Sequence, residues 1–412
     1  MQEDTLKRID AAAEAMKDQL VRLSLQIHAH PEIAFQERQS AAWLCELLAG
    51  AGFAVQKPVA GLETAFRADW LGRGARADAD GASGAGAPVR RVPTVAILAE
   101  YDALPEVGHA CGHNIIGVAA AGAGIALKQA VPDLVGRVVV MGTPAEEGGG
   151  GKIDMVNAGL FDDVDAAIMV HPTSGESKIG STSLATHSIV FNFHGRPAHA
   201  AATPHLGINA LDAVVQTYVN VSMLRQQMTP DARVHCLITK GGSVINIVPE
   251  EAEIRYLLRA STKENLATLV AKVKECAEAA ARATGATLKM EEQVGYGARK
   301  LNVPLGNAFK AQLRRAGLEV ADEPSPSGGS TDFGDVSQKV PAANAYVSIA
   351  PKGVAGHSRE FAAAAASDAG MAALMVSVKA MAATALAALT DEELRSHMSR
   401  AHGARSSQST IQ

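Results

Sequence analysis

Apolar residues recur along this chain with two different spacings, and each spacing predicts its own kind of element. Near the start they return every three or four positions. That predicts helices over roughly Glu3 to Ala29 and Phe35 to Ala51, with Gly52 closing the second as a C-cap. Short continuous apolar runs follow. VAILA, from Val95, and VVVMGTPAE, from Val138, read as buried strands, the second ending at Glu146 and Glu147, and a third run, AAIMVHP, leads to His171. The stretch from Ile115 to Ala130 predicts a helix that docks the preceding loop onto the sheet. Residues 72–91, GRGARADADGASGAGAPVRR, are Gly/Ala-rich and read as a surface loop between two strands.

The pattern changes after Ser181. HSIVFNFHG, VHCLITKGG, AEIRYLLRA and TLKMEEQVG read as strands, and two long amphipathic stretches, NALDAVVQTYVNVSMLRQQ and ENLATLVAKVKECAEAAARATG, read as helices. Apolar strand signals of the first kind resume at AANAYVSIA, so this block is an α+β unit inserted into a larger α/β domain. The expected division is a first catalytic segment over 1–185, an inserted unit over 186–297 and a second catalytic segment over 298–402. An Ala-rich helix from Phe361 to Leu389 completes the larger domain, and disorder is expected over 403–412.

Composition narrows the function classes. A chain of 412 residues calls for about two domains. A net charge of −5 and 47% hydrophobic residues point to neither nucleic acid nor a membrane surface. The acidic, amphipathic start is unlike a secretory signal. The four cysteines, Cys45, Cys111, Cys236 and Cys276, are too widely spaced for a disulfide framework, which fits a reducing cytoplasm and leaves Cys111 free for metal.

Polar side chains interrupt the apolar runs in one region above all. Between Val95 and Gly151, Asp102, His109, Cys111, His113, Glu146 and Glu147 gather at the ends of runs, where a rigid sheet edge holds polar groups in fixed positions. Cys111 and His113 sit two apart and can face one side in an extended or tightly turned segment. Thiolate and imidazole together suit a borderline-soft divalent ion such as zinc. Of two adjacent carboxylates, one can bind metal while the other takes a proton from water. Gly148 to Gly151 let the backbone approach a ligand closely. His171 and His357, the latter in VAGHSREF, extend the donor set. His28, His30 and Glu32 cluster in HAHPEIAFQE as weaker candidates.

HACGHN, PAEEGGGGK, MVHP, GRPAHAA, GGSVINIVPEEAEI, GGSTDFGDVS and AGHSREF occur in an order that resembles the M20 metallopeptidase and amidohydrolase family over nearly the whole chain. AEYDALPEVGHACGHN and GGSTDFGDVS look most like its branch of aminobenzoyl-glutamate hydrolase-like proteins and related dipeptide hydrolases. The more distant auxin-conjugate amidohydrolases usually carry Asp where this chain has Asn114, and no role is carried over to that position. The resemblance implies a catalytic α/β domain in two segments with a smaller lid domain that often mediates dimerisation. It also implies two divalent ions, zinc or manganese and possibly cobalt. Cys111 matches the bridging ligand, His113 and His171 the ligands of one ion, Glu147 and His357 those of the other, and Glu146 the general base. Asp102 matches a carboxylate behind the ligands. His199 matches a lid histidine that reaches the metals of the other protomer in dimeric relatives, and Asn246 and Arg259 match substrate contacts. The reaction so implied is cleavage of an amide C–N bond in an N-acyl or aminobenzoyl amino acid or a dipeptide-like small molecule. Two other readings are hydrolytic deamination of an activated aromatic amine by the same site, and a non-catalytic binding protein on the same fold.

Overall fold

The structure is a computed structural model in which residues 3–75, 92–322 and 329–404 are described. It divides into two compact units. The first gathers the described residues up to Ser181 with those from Lys300 to 322 and from Asp335 onward, and the second holds Thr182–Arg299 and the short return to Gly334.

The first unit is an α/β layer structure. Its seven strands are β1 (Ala54–Gln56), β2 (Phe66–Leu71), β3 (Thr94–Ala99), β4 (Arg137–Gly142), β5 (Ala166–Ser174), β6 (Lys178–Ile179) and β11 (Ala342–Ala350), in the order β1-β2-β4-β3-β5-β11-β6. The four central strands β4, β3, β5 and β11 run parallel, while β2 and β6 pair antiparallel at the flanks. The chain moves from β3 to β4 on one side and then returns to β5 on the other. This makes the C-terminal end of β3 a topological switch point, the place where open α/β sheets bind ligands.

The central strands are buried on both faces, which is why they read as continuous rather than alternating apolar runs. The helix His113–Ala130 packs on β3, β4 and β5, and the helix Asp368–Thr390 packs on it and on β3, β5 and β11. Asp368–Thr390 is long and apolar enough to span a bilayer, yet 78% of its most apolar window is buried in the core. Core packing accounts for its composition.

Local signals explain where the elements stop. The first helical stretch is two helices, Glu3–Ala15 and Lys17–Ala29, because the ladder tightens at Met16, whose N–H bonds Ala13 O at 3.1 Å. The next helix runs Arg38–Gly50, not from Phe35, since Phe35 has φ +61°. It ends in a Schellman motif: Gly52 N bonds Ala49 O at 2.8 Å and Phe53 N bonds Leu48 O at 3.0 Å, with Gly52 left-handed. Strand β4 stops at Gly142, so Glu146 and Glu147 lie in the following loop and not at the strand end. Pro144 has no N–H to continue the ladder. The expected helix from Phe361 to Leu389 is two, Arg359–Ala365 and Asp368–Thr390, because Ser367 leaves the helix and caps Gly370 N at 3.2 Å. Helix Glu392–Ala404 includes the first two residues of the expected tail, whose remainder, like 76–91 of the surface loop, lies outside the described residues.

The second unit is an antiparallel sheet, β10-β7-β9-β8, built from β7 (Ala185–His194), β8 (Arg233–Lys240), β9 (Glu251–Ala260) and β10 (Thr287–Val294). Two helices, Ala210–Leu224 and Lys263–Thr284, pack on it. Burial along β9 alternates strictly, and Leu266, Leu269, Val273 and Ala277 form the inner stripe of the longer helix. Both spacings converge on one core with Phe191, Phe193, Ile254 and Leu258. Asn209 caps Leu211 N and Thr262 caps Asn265 N, fixing the two helix starts.

Candidate metal centre

The site assembles at the C-terminal ends of the parallel strands. β3 leads into Glu100 and Asp102 and on to the turn bearing Cys111 and His113, β4 into the loop with Glu146 and Glu147, and β11 into the loop with His357, while β5 carries His171 near its end. Gly112 makes the Cys111–His113 turn possible. Its φ is +78°, and a Cβ there would stand 2.6 Å from Pro172 Cγ. The same turn starts the long buried helix, so His113 is anchored at its first residue.

Distances group the donors into overlapping sets. One donor atom each from Cys111, His113 and His171 lie within 4.8 Å of one another, and so do one each from Cys111, Glu147 and His357. His113, Glu146 and Glu147 form a third such group. Cys111 Sγ is 3.5 Å from His171 Nε2, and Glu147 Oε1 is 3.3 Å from His357 Nε2 and 3.9 Å from His113 Nε2.

Neighbouring groups aim these atoms. Asp102 Oδ1 accepts from His113 Nδ1 at 2.9 Å, which leaves Nε2 facing the cluster, and Asp102 Oδ2 accepts from the backbone N of Glu147 at 2.9 Å. One carboxylate therefore fixes a ligand from each of two loops. His171 Nδ1 donates to Pro172 O at 2.7 Å, so its Nε2 carries the lone pair. His357 (φ +61°) and Ala145 (φ +60°) are non-glycine residues in the left-handed region. Strain of this kind persists where the surroundings dictate it. His357 N is tied to Ala110 O at 2.9 Å, and Ala145 N to Glu37 Oε1 at 2.9 Å.

The electrostatics favour a cation. His113 Nε2 and Glu147 Oε1 are buried without a hydrogen-bond partner. Burial by itself would discharge the His113 ring, yet Asp102 and Cys111 outweigh it and hold its pKa well above the ordinary value. Burial raises Asp102 and Glu100, but His113 for the first and Lys152 for the second pull each carboxyl net below its usual range. Burial pushes the Cys111 thiol upward and lowers His171. A bound cation is what would make the thiolate the favoured form there. The donor set of thiol, imidazoles and carboxylates, with orphaned donor atoms converging, fits divalent metal.

Other residues of the motif have structural tasks. His109 is buried against His28, ring centroids 6.0 Å apart, and burial drops its pKa to about 3, keeping it neutral. His28 bonds Ala362 O, His30 bonds Gln26 O, and Glu32 accepts from Gln39 N and Ser40 N at the start of the next helix. Gly149 lets the chain itself approach: a Cβ there would stand 2.2 Å from the Phe35 ring. Asn114 points away from the donors, giving hydrogen bonds to Ser24 Oγ at 3.0 Å and Ala365 O at 3.1 Å.

Three participants escape the sequence reading. Glu37 accepts from Phe35 N, Ala145 N and Thr64 Oγ1, holding the Glu146 loop from behind, and Glu100 and Lys152 form a fully buried ion pair beside His113. For Glu100 and Lys152 the one local signal was a charged residue directly abutting an apolar run or a glycine run, whereas Glu37, between Gln36 and Arg38, carried none.

His199, Asn246 and Arg259 belong to the second unit. His199 and Asn246 are exposed neighbours: His199 bridges Ile247 in a short antiparallel pairing, and Ala200 N bonds Asn246 O at 3.0 Å. His199 Nδ1 accepts from Ala201 N and Ala202 N, which puts its proton on Nε2 as an outward donor. Arg259 stands apart, its Nη1 donating to Ser330 Oγ at 2.8 Å.

Residues 96–387 match the peptidase family M20/M25/M40. The chain is 40% identical to the Xaa-Arg dipeptidase of Mus musculus over 92% of this chain and 87% of that one. It is 36% identical to a p-aminobenzoyl-glutamate hydrolase polypeptide of Escherichia coli K12 over 75% of this chain and 65% of that one. Its fold is similar to that of a dinuclear metal binding peptidase of the M20 family from Bacillus subtilis, with a TM-score of 0.70 at 22% identity over 91% of this chain and 99% of that one.

Proposed function

Because the chain belongs to the peptidase family M20/M25/M40 and is a metal-dependent hydrolase of amide bonds, we propose that its site holds two divalent ions and cleaves small dipeptide-like, N-acyl or aminobenzoyl amino acids. The observation that carries this reading is the place of Cys111 as the member shared by two donor triads. Cys111 would be the donor common to both ions, with His113 and His171 holding one and Glu147 and His357 holding the other. Thiolate and imidazole favour zinc, with manganese and cobalt as further candidates. The chemistry such a pair supplies when bound is polarisation of a carbonyl and acidification of water.

The chain's own groups do the rest. Glu146, buried and within 4.8 Å of the His113 and Glu147 donor atoms, takes the proton of the attacking water and passes it to the leaving nitrogen. Asp102 keeps His113 in one tautomer and the Glu147 loop in one position. His199 Nε2 donates to the carbonyl oxygen as charge develops on it. Asn246 contacts polar groups of the substrate, and the Arg259 fork suits its carboxylate.

We further propose that the protein is a homodimer joined through the second unit, so that His199 serves the partner's metals. Val215, Tyr218, Val219 and Met223 are exposed along one helix, Leu237 and Ile238 on the edge strand β8, and Val244, Ile245 and Ile247 on the loop beside His199. Exposed apolar side chains at this density mark an association surface, and an unpaired edge strand is a ready pairing site. A cytoplasmic location is supported by the free cysteines Cys45, Cys111, Cys236 and Cys276.

A panel of Xaa-Arg and β-alanyl dipeptides, N-acyl amino acids, aminobenzoyl-glutamate and activated anilines, assayed with added zinc, manganese or cobalt, tests the reading. The expected product is a free amino acid released only with metal. Ammonia from the anilines with every amide left intact would overturn it.

A further inference from the structure

The fully buried ion pair between Lys152 and Glu100 lies against the donor set without belonging to it. Both side chains have no solvent exposure. Lys152 Nζ lies 2.6 Å from Glu100 Oε1, and Glu100 Oε2 lies 3.5 Å from His113 Nε2, the ring nitrogen that faces the metal space. One oxygen of Glu100 is also within 4.8 Å of one of Glu146. Glu100 is thus placed as a ligand would be, yet it is held by an ammonium group.

The surroundings make that ammonium unusual. Glu100, Asp102, Cys111, Glu146 and Glu147 crowd negative or potentially negative groups into one buried region of the first unit. Lys152 is delivered there as the second residue of the short helix Gly151–Asn157, directly after the loop of Glu146 and Glu147. A lysine is almost never fully buried without a fixed anionic partner. Buried pairs also add little net stability against apolar replacements, so stability alone does not account for this one.

We propose that Lys152 is a built-in counter-ion of the metal centre, which holds Glu100 outside the ligand set and so limits how tightly the divalent ions are bound. The inference rests on the metal-dependent reading above. Lys152 and Glu100 act as positioning residues: neither is proposed to move a proton or to touch substrate. With Lys152 present, Glu100 is already neutralised and the centre keeps its ligands from Cys111, His113, Glu147, His171 and His357. Without it, Glu100 is a free buried carboxylate beside His113, and its natural partner becomes the metal.

The two halves of the pair therefore have opposite effects on metal affinity, whereas a merely structural pair would weaken the site whichever half is lost. Zinc and manganese affinities of the full-length protein are measured by chelator competition, and metal content by elemental analysis. Lys152→Met is expected to bind metal about tenfold or more tightly and Glu100→Gln about tenfold or more weakly. The double variant should return near the wild-type affinity. Thermal unfolding gives a second readout: Lys152→Met should lose stability in chelator and recover it with metal by a larger margin than the wild type.

Shifts in the same direction in both single variants, or no shift in either, would overturn the counter-ion role while leaving the metal-dependent reading intact. A wild-type protein that binds no divalent metal would overturn both. Should Lys152→Met fail to fold, Glu100→Gln and the double variant still decide, since unchanged or tighter metal binding in Glu100→Gln contradicts the proposal.

Discussion

At the ends of the parallel strands, candidate ligands are aimed by buried partners, whereas in the antiparallel unit His199 and Asn246 stand exposed on two neighbouring loops rimmed by apolar side chains. Asp102 touches both His113 and the Glu147 backbone, and Pro172 O sets the tautomer of His171. Around His199 the contacts come from its own loop and that of Asn246. The first region is prepared before any ligand arrives. On the function proposed above, the second carries groups that act on partners outside that unit. Substitutions in the first should therefore act within one protomer, and substitutions in the second should depend on how the protein is assembled.

The largest effects belong to the prepared region. Cys111→Ala removes the donor common to two triads and should lose most bound metal and nearly all activity while the protein stays folded. Glu146→Gln should keep its metal and turn over at least ~100-fold more slowly, the usual scale for losing a general base. Glu147→Gln should lose metal instead. An active Glu146→Gln beside a Glu147→Gln with full metal content would show both roles to be wrongly assigned.

The exposed region should behave differently in mixtures. His199→Ala should slow turnover about 100-fold or more, as for loss of one oxyanion donor. Mixed with inactive Glu146→Gln, it should recover up to roughly a quarter of wild-type activity after full exchange, because each heterodimer contains one site with both groups intact. Exchange verified by tag pull-down with no recovered activity would place His199 on the metals of its own chain. A fully active monomer would remove the comparison altogether.

The contrast also marks what local pattern could reveal. Strands buried on both faces and an amphipathic inserted block left clear spacings, and the polar residues Asp102, Cys111, His113 and His171 stood out against apolar runs. Interruptions were harder to see. Pro144 and Ser367 carried the signals that end β4 and split the last long helix, but each is a single residue inside a strong periodic run. Burial of a lone charge was not legible at all. Lys152 follows four glycines and reads as surface, and Glu37 lies far in sequence from the loop it holds, because the pairing that buries each exists only in the folded chain.

Asn114 sharpens the boundary of the prepared region. Its amide donates to Ser24 Oγ and Ala365 O, joining three helices behind the site rather than facing the donors. Asn114→Asp would set a buried carboxylate against a carbonyl oxygen, with an expected loss of about 2–4 kcal/mol of stability. Metal content per folded molecule should not change. Thermal unfolding and elemental analysis read the two effects separately, and lost metal with unchanged stability would place Asn114 in the site.

Glu37 gives the smallest and most specific effect. Burial first, and then the nearby Asp102 carboxylate, raise its pKa from 4.5 to about 7, while its oxygens accept from Phe35 N, Ala145 N and Thr64 Oγ1. Below pH 4.5 the group is protonated in both the folded and unfolded chains and contributes nothing to pH dependence. Between 4.5 and about 7 the folded chain keeps a proton that the unfolded chain has released, so stability falls as pH rises, and above about 7 the full penalty is present. Glu37→Gln keeps an oxygen to accept from Ala145 N and removes the ionisation. Relative to the wild type it should gain about 1–3 kcal/mol on going from pH 4.5 to pH 8. Denaturant unfolding of metal-stripped protein across that range reads the difference. A gap between the two proteins that stays constant with pH would mean that Glu37 has the same pKa folded as unfolded, and that over most of that range the loop carrying Glu146 and Glu147 is held by a charge instead of a neutral acid.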